Sequence, residues 1–178
     1  MATTATMMGA QFDALPYEEG RRWELIDGEL IPVSSPTLDH QEIVFLILAA
    51  LKRHLEGTMG IASHDVEFAL SENTRVRPDV WVLLAENAAR IDRGKVPIPG
   101  PPDIAVEVIS ASEYSAESIR KVDSYLRHGT REVWQVYPQA QLVLTFAQNR
   151  GSRKLHYADV LTSTLLPGFS MPVSSIFG

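Results

Sequence analysis

The spacing of apolar and polar residues along the chain predicts a mixed α/β order. Residues 22–33, RWELIDGELIPV, have two alternating apolar arms around Asp27-Gly28, which predicts a tight β-hairpin. Apolar residues at helical spacing follow, with Ser and Asp available as caps and Gly57 as a stop, and they predict a largely buried helix. Strands are predicted at 60–70 and 77–85, joined by the turn SENT.

The second half of the chain continues this order. After a proline-rich loop at 95–102, DIAVEVIS (103–110) is an almost continuous apolar run, typical of a strand that is covered on both faces. Residues 112–128 predict an amphipathic helix ended by Gly129. Its inward residues are expected to be Ile119, Val122, Tyr125 and Leu126. Three more strands are predicted, at 132–137, 142–148 and 154–161.

This order predicts the fold class: an α/β (α+β) domain whose mixed β-sheet is flanked by helices and preceded by an N-terminal β-hairpin. We expect residues 1–11 to be a flexible leader and 12–178 to form a single domain. The opening MATTATMMGA lacks the basic and apolar regions of a signal peptide. The most apolar run, 43–51, is about half the length of a membrane span, so a soluble protein is expected.

Composition narrows the possible chemistry. The 178 residues include no cysteine, which excludes thiolate nucleophiles and fits the reducing cytoplasm of a bacterium. Any metal therefore needs carboxylate or histidine ligands. The net charge of −6 argues against a surface coated with basic residues for non-specific nucleic-acid binding. The net charge does not exclude a local basic cleft, although solvated surface is the simpler interpretation of the basic residues. Two groups of them are close in sequence: Arg75, Arg77, Arg90, Arg93 and Lys95, and Arg120, Lys121, Arg127 and Arg131.

Two Pro-Asp dipeptides open predicted strands, and they differ in their relation to Glu107. Glu107 lies in the middle of an apolar run, where an unpaired carboxylate would be costly to bury. Asp103 is on the same strand, roughly 13 Å away at about 3.3 Å per residue, too far to share a metal. Asp79 opens another strand, and side chains on neighbouring strands approach to about 5 Å. The pair Asp79 and Glu107 therefore suits a hard divalent cation such as Mg²⁺ or Mn²⁺.

Phosphoryl chemistry also needs a fixed cation or proton donor beside these acids. Two positions after Glu107, on the same face of the strand, the chain has Ile109 and not lysine. Lys121, at the edge of the apolar stripe of the next helix and on the side of Tyr125, is the available substitute, because its long stem can present the ammonium near both acids.

These residues resemble the PD-(D/E)XK nuclease motif, with the lysine moved to the following helix. Four blocks in order, WELIDGELIPVSSPTLDHQEIV, VRPDVWVL, PPDIAVEVIS and KVDSYLRHGTREVWQVYP, look like the Uma-two family of restriction-endonuclease-like proteins. The resemblance covers about residues 12–170. Departures occur at Ser110-Ala111, where the family often has Ser-Pro, and at Tyr137, where it often has an acid before the proline.

The resemblance implies a Mg²⁺- or Mn²⁺-dependent endonuclease acting on DNA. Asp79 and Glu107 would be metal ligands, Lys121 the migrated catalytic lysine, and the main-chain carbonyl of Val108 or Ile109 a further ligand. The supporting candidates are His40, Glu24, Glu29 and Tyr125. A homodimer is expected from the fold, since cutting both strands of a duplex is most easily arranged by two-fold symmetry, and the hairpin at 22–33 and the apolar tail LLPGFSMPVSSIF are the candidate contacts.

Simpler roles compete with these. Asp79 is also a candidate turn cap or partner of Arg77, and Asp103 is interpreted as a strand-opening residue with no catalytic part. Glu107 and Lys121 alone could form a buried ion pair without a metal. The competing function is therefore a catalytically inactive, nuclease-like fold that acts as a nucleic-acid-binding or regulatory module.

Overall fold

The computed structural model describes residues 6–16, 18–110 and 115–178. In chain order, the strands within these residues are β1 (Arg22–Ile26), β2 (Glu29–Val33), β3 (Ile61–His64), β4 (Phe68–Ser71), β5 (Thr74–Val76), β6 (Val80–Leu83), β7 (Ile98–Pro99), β8 (Ile104–Val108), β9 (Glu132–Tyr137), β10 (Leu142–Ala147), β11 (Gly151–Leu155), β12 (Val160–Leu161) and β13 (Met171–Pro172). The helices are α1 (Gly9–Asp13), α2 (Leu38–Leu55), α3 (Ala85–Ala88), α4 (Ser115–Arg127) and α5 (Ser174–Phe177), with a short 3-10 helix at Pro138–Ala140.

The described strands form two main sheets and one small one. The five-stranded sheet has the order β2-β1-β5-β4-β7, and the six-stranded sheet has the order β11-β10-β9-β8-β6-β3. Strands β12 and β13 pair separately. The pairs β8–β9 and β4–β7 are parallel and the other pairs are antiparallel, so both main sheets are mixed. The predicted fold class, a mixed sheet flanked by helices with an N-terminal hairpin, is confirmed.

The N-terminal hairpin forms where the sequence predicts it. Ile26 pairs with Glu29 across the turn. Asp27 and Gly28 have φ angles of 52° and 81°. Positive φ at both central residues is the conformation whose twist matches that of the two strands, and Asp-Gly adopts it at low cost. Glu24, in the middle of β1, is buried.

Helix α2 is less buried than predicted. Thr37 caps it, since its side chain accepts a hydrogen bond from the N–H of His40 at 3.2 Å. The inner face is buried through residues such as Ile47 and Leu51. Phe45 on the other side is 68% exposed. The prediction of a largely buried helix is wrong because α2 covers the six-stranded sheet with one face and leaves the other to solvent.

The strand predicted at 60–70 is two strands in different sheets. Strand β3 pairs with β6, as expected for the segment at 77–85, but β4 pairs with β5 and β7 in the other sheet. The chain turns between β3 and β4 at Asp65, whose φ is 50°. Strand β5 begins inside the predicted turn SENT, and the strand predicted at 154–161 is divided between β11 and β12.

Strand β8 lies at the centre of the molecule, and all five of its residues are buried. One face of its sheet packs against α2, and the other packs against α4 and the five-stranded sheet. Val122 and Tyr125 of α4 are buried as predicted, whereas Ile119 is 63% exposed, contrary to prediction. Gly129 follows α4 with a φ of 108° and ends the helix. The first part of the helix predicted at 112–128 lies outside the described residues.

The apolar tail belongs to the core of its own chain. Its buried side chains pack in the cluster that includes the inner face of α2, and they are Leu166, Phe169, Met171, Val173 and Ile176. The proposal of the tail as a dimer contact is therefore wrong, because these side chains already have intramolecular neighbours.

The segment before the hairpin is attached to the five-stranded sheet. The N–H groups of Met7 and Gly9 donate to the carbonyls of Gly28 and Glu72, at 3.0 and 2.7 Å. Buried Arg75 donates to the carboxylate of Asp13 at 3.1 and 3.2 Å. Residues 1–5 of the predicted leader lie outside the described residues. In the part of the chain that the structure describes, no helix is long and apolar enough to cross a membrane.

We expect the substitution Leu51→Ala to lower the free energy of unfolding by about 2–5 kcal/mol, since Leu51 is fully buried between α2 and the sheet. The matched control is Phe45→Ala on the exposed face of the same helix, with an expected change within about 0.5 kcal/mol. Urea denaturation followed by circular dichroism measures both. Equal losses in the two variants would contradict the packing of α2 described above.

Candidate functional site

Asp79 and Glu107 lie opposite each other on neighbouring strands. In the antiparallel pairing of β6 and β8, Val80 is opposite Val106. In an antiparallel pair, the residue before Val80 lies opposite the residue after Val106, so Asp79 is opposite Glu107. The N–H of Val108 donates to Asp79 Oδ2 at 2.7 Å, so the carboxylate is held against the end of β8. The side chain of Arg77 pairs instead with Glu67 and Asp65.

The Glu107 carboxylate is buried and is held by two residues of α4. Lys121 Nζ donates to Oε2 at 2.9 Å, and the Tyr125 hydroxyl donates to Oε1 at 2.7 Å. Residues 121 and 125 are one helical turn apart and share a face, so a single helix supplies both partners. Burial raises the pKa of Glu107 well above its ordinary value; the positive charge of Lys121 lowers it, and the negative charges of Asp79 and Glu24 raise it.

Lys121 connects two buried carboxylates. Besides its bond to Glu107, Nζ lies 2.9 Å from Glu24 Oε2, and the Lys121 side chain is only 12% exposed. Burial lowers the pKa of Lys121, but the negative charges of Glu107 and Glu24 together raise it above its ordinary value. Burial and the neighbouring Glu107 likewise raise the pKa of the Tyr125 hydroxyl. Lys121 is therefore a fixed ammonium among carboxylates.

Glu24, one of the supporting candidates, is held between Arg77 and Lys121. Its Oε1 accepts a hydrogen bond of 2.6 Å from the N–H of Arg77, two residues before Asp79, while its Oε2 faces Lys121. Glu107 interrupts the continuous apolar run IAVEVI, whereas Glu24 stands at a polar position of the alternating arm RWELI, so its burial could not be predicted from the sequence. A buried acid in a strand needs a partner in both cases.

His40 borders the site from the first turn of α2. Its Nε2 lies 3.3 Å from Asp79 Oδ2, and both side chains are partly exposed, at 15% and 25%. Asp79 is thus the most accessible of the three carboxylates of Asp79, Glu107 and Glu24. The sequence offered no signal for the contact between these two residues, since 39 positions separate them in the chain.

Two other acids considered above lie elsewhere. Asp103 is buried at the start of β8 and accepts hydrogen bonds from the N–H of Leu84 at 2.8 Å and from the Asn87 amide at 2.9 Å. These contacts tie the start of β8 to helix α3 and its N-cap residue. Glu29 pairs with Arg120 at 2.6 Å on the surface and does not take part in the cluster around Lys121.

The donor set fits a hard divalent cation held by two carboxylates. Within residues 6–16, 18–110 and 115–178, no group of three or more His, Asp or Glu side chains could hold a metal ion. Magnesium commonly binds through one or two carboxylates and keeps several waters, so Asp79 and Glu107 provide ligands of the right type and number. Both described contacts of Asp79 use Oδ2, and in these parts of the chain Oδ1 has no hydrogen-bond partner. Each oxygen of Glu107 accepts one hydrogen bond and retains a further acceptor site.

The basic residues near α4 have acidic neighbours. Arg120 pairs with Glu29, Arg127 with Asp27, and Arg131 with Glu86. Arg75, in the earlier basic group, is buried and holds Asp13. These pairings favour the interpretation of both groups as balanced surface or structural charges over a single basic cleft.

Comparisons with known proteins identify the family of the chain and its fold. A model of the Uma2 family, described as "Putative restriction endonuclease", matches residues 10–174. The crystal structure of "a putative nuclease belonging to DUF820 from Anabaena variabilis ATCC 29413" is similar, with a TM-score of 0.84 and 17% sequence identity, over 96% of this chain and 97% of that one. At this identity the likeness establishes the fold. None of the curated proteins matches the chain.

We expect the stability of the wild type, relative to Glu107→Gln, to decrease as the pH rises above 4.5, the ordinary pKa of glutamate. Between 4.5 and the raised pKa, the folded protein binds the Glu107 proton more tightly than the unfolded chain does. The free energy of unfolding therefore falls with rising pH over this window. Urea denaturation in EDTA from pH 4 to 8 measures the difference.

The control for this measurement is Glu42→Gln, which removes one carboxylate from an exposed position of α2. A wild-type advantage over Glu107→Gln that stays constant or grows with pH would contradict the assignment of a raised pKa to Glu107.

Proposed function

Because the chain belongs to the Uma2 family of restriction-endonuclease-like proteins, we propose that it is a metal-dependent nuclease that hydrolyses phosphodiester bonds of DNA. The observation that carries the proposal is the placement of Asp79 against β8, opposite Glu107, with the Lys121 ammonium bonded to Glu107. Two acids that could hold a divalent ion, and a fixed cation beside them, suit the hydrolysis of a phosphodiester by an activated water.

Asp79 and Glu107 would hold Mg²⁺ or Mn²⁺, and the main-chain carbonyl of Ile109 stays a candidate for a further ligand. When bound, the ion would lower the pKa of a coordinated water and stabilise the negative charge that develops on the phosphate. The ion would also favour the ionised form of Glu107, whose pKa burial raises.

The remaining residues of the site act on position and charge. Lys121 would orient the attacking water or stabilise the developing charge with its ammonium. Tyr125 keeps the Glu107 carboxylate in one orientation by donating to Oε1. His40 and the N–H of Val108 do the same for Asp79, since both contact its Oδ2. Supporting contacts of this kind typically change activity by about 10–100-fold when they are removed.

Incubation of the purified protein with linear and supercoiled DNA in Mg²⁺ or Mn²⁺ tests the proposal. We expect cleavage by the wild type and a loss of about a hundredfold or more in Asp79→Ala and in Lys121→Met, because each substitution removes a group that would face the phosphate or its metal. The matched control is Asp123→Asn, at an exposed acid on α4 two residues from Lys121. Equal cleavage by wild type and Asp79→Ala would remove the site assignment.

The competing function, an inactive fold that serves as a binding or regulatory module, is favoured by one observation. Lys121 already pairs with both Glu24 and Glu107, so the buried charges have partners without a metal. This alternative predicts no manganese binding at the site. A calorimetric signal for Mn²⁺ that disappears in Glu107→Gln would count against it and in favour of the nuclease.

A two-fold dimer remains part of the proposal, with the hairpin β1–β2 as its contact. Trp23 and Val33 are 39% and 38% exposed there, and β2 is an edge strand. Light scattering at micromolar concentration should give the mass of a dimer for the wild type, and Trp23→Ala should shift the mass toward that of a monomer. Tyr157→Ala, a change at another exposed aromatic residue, is the control. A wild-type monomer would exclude the dimer.

A further inference from the structure

We infer that Glu24 is a positioning residue of the site: it holds the Lys121 ammonium beside Glu107 and the main chain that leads into Asp79. This inference rests on the proposed function and extends it to the N-terminal hairpin. Glu24 Oε2 lies 2.9 Å from Lys121 Nζ, and Glu24 Oε1 accepts from the N–H of Arg77 at 2.6 Å. One carboxylate therefore contacts both halves of the site.

Lys121 reaches the site from a separate helix, and this explains why a second carboxylate is needed to fix the position of its ammonium. Lys121 extends from α4, fourteen positions after Glu107, and reaches the site through a stem of four flexible carbons. With Glu107 as its only partner, the ammonium could pivot about one hydrogen bond. Glu24 supplies a second contact from β1, and two contacts in different directions restrict the ammonium to one position.

The burial of the pair makes this contact strong. The side chains of Glu24 and Lys121 are 6% and 12% exposed, so water competes little for either group. A charge-assisted hydrogen bond in such a place is stronger than one between neutral groups. Glu24 does not face the open side of the site, which lies at Asp79, so its influence on a substrate would pass through Lys121 and through the chain at Arg77.

The substitution Glu24→Gln separates the two contacts. The amide oxygen can still accept from the N–H of Arg77, whereas the negative charge beside Lys121 is lost. The hairpin also offers a matched control, because Glu29 on β2 pairs with Arg120 at 2.6 Å and is 63% exposed. Glu29→Gln thus removes one ion pair from the same hairpin without touching Lys121.

We expect Glu24→Gln to lower kcat about 10–100-fold, with the KM for DNA and the affinity for Mn²⁺ changed less than about threefold. Glu29→Gln should cleave like the wild type. A double-mutant cycle with Lys121→Met tests the route: if Glu24 acts through the ammonium, the double variant is no slower than Lys121→Met alone. Losses that multiply in the cycle, or wild-type kcat in Glu24→Gln, would overturn the inference. A large loss of Mn²⁺ affinity would also overturn it, because it would make Glu24 a ligand.

A spectroscopic readout separates this inference from the nuclease proposal. The chain has four lysines, at 52, 95, 121 and 154, so selective ¹³Cε-lysine labelling gives few NMR signals. The Lys121 signal, assigned by its loss in Lys121→Met, should shift in Glu24→Gln and stay in place in Glu29→Gln. An unmoved Lys121 signal would overturn the inference. The signal can be measured even if Glu24→Gln is less stable than the wild type, as long as circular dichroism shows that the variant is folded. If the wild type cleaves no DNA, the proposed function fails and the NMR result alone decides whether Glu24 holds Lys121.

Discussion

The burial of one carboxylate, that of Glu107, is the constraint on which the arrangement around it depends. An ionised carboxylate in a strand covered on both faces is stable only when nearby groups provide charge and hydrogen bonds. Lys121 and Tyr125 provide them from a single face of α4. The position of α4 against the sheet is thus tied to Glu107 as well as to apolar contacts such as those of Val122. Lys121 in turn brings in Glu24, and with it the hairpin.

Much of the spatial arrangement of the candidate site could be predicted, because its residues violate local patterns. Glu107 stands in an apolar strand, Asp79 follows a proline at the start of another, and Lys121 is a long cation at the border of an apolar stripe. Strand geometry then excluded Asp103, which the structure places among main-chain and amide donors at the other end of β8. The hairpin and the central strand were equally clear, since Asp-Gly turns and fully apolar runs each have few alternative conformations.

The parts that could not be predicted depend on contacts between distant segments. Nothing in the sequence from 60 to 71 indicates that β3 and β4 join different sheets, because each piece is a short apolar run suited to either. Ile119 has the spacing of a core residue but lies exposed, and Phe45 belongs to an apolar run whose outer side faces solvent, since only tertiary packing decides how wide the buried face of a helix is. The partners of Glu24 and His40 are likewise set by tertiary structure. An apolar tail can pack on its own chain or on a second one, and the sequence does not distinguish the two; in the structure it packs in the core of its own chain.

The two carboxylates that hold Lys121 belong to different sheets, Glu24 to the five-stranded one and Glu107 to the six-stranded one. The lysine therefore links the two sheets through one ion pair to each. Hydrogen bonds weaken steeply with distance, so a slide of one layer past the other by an ångström would break this link while leaving each sheet's own ladder intact. The geometry of the site thus depends on how the two sheets are aligned. A mutation in the core between the sheets that shifts their alignment would therefore also displace Lys121.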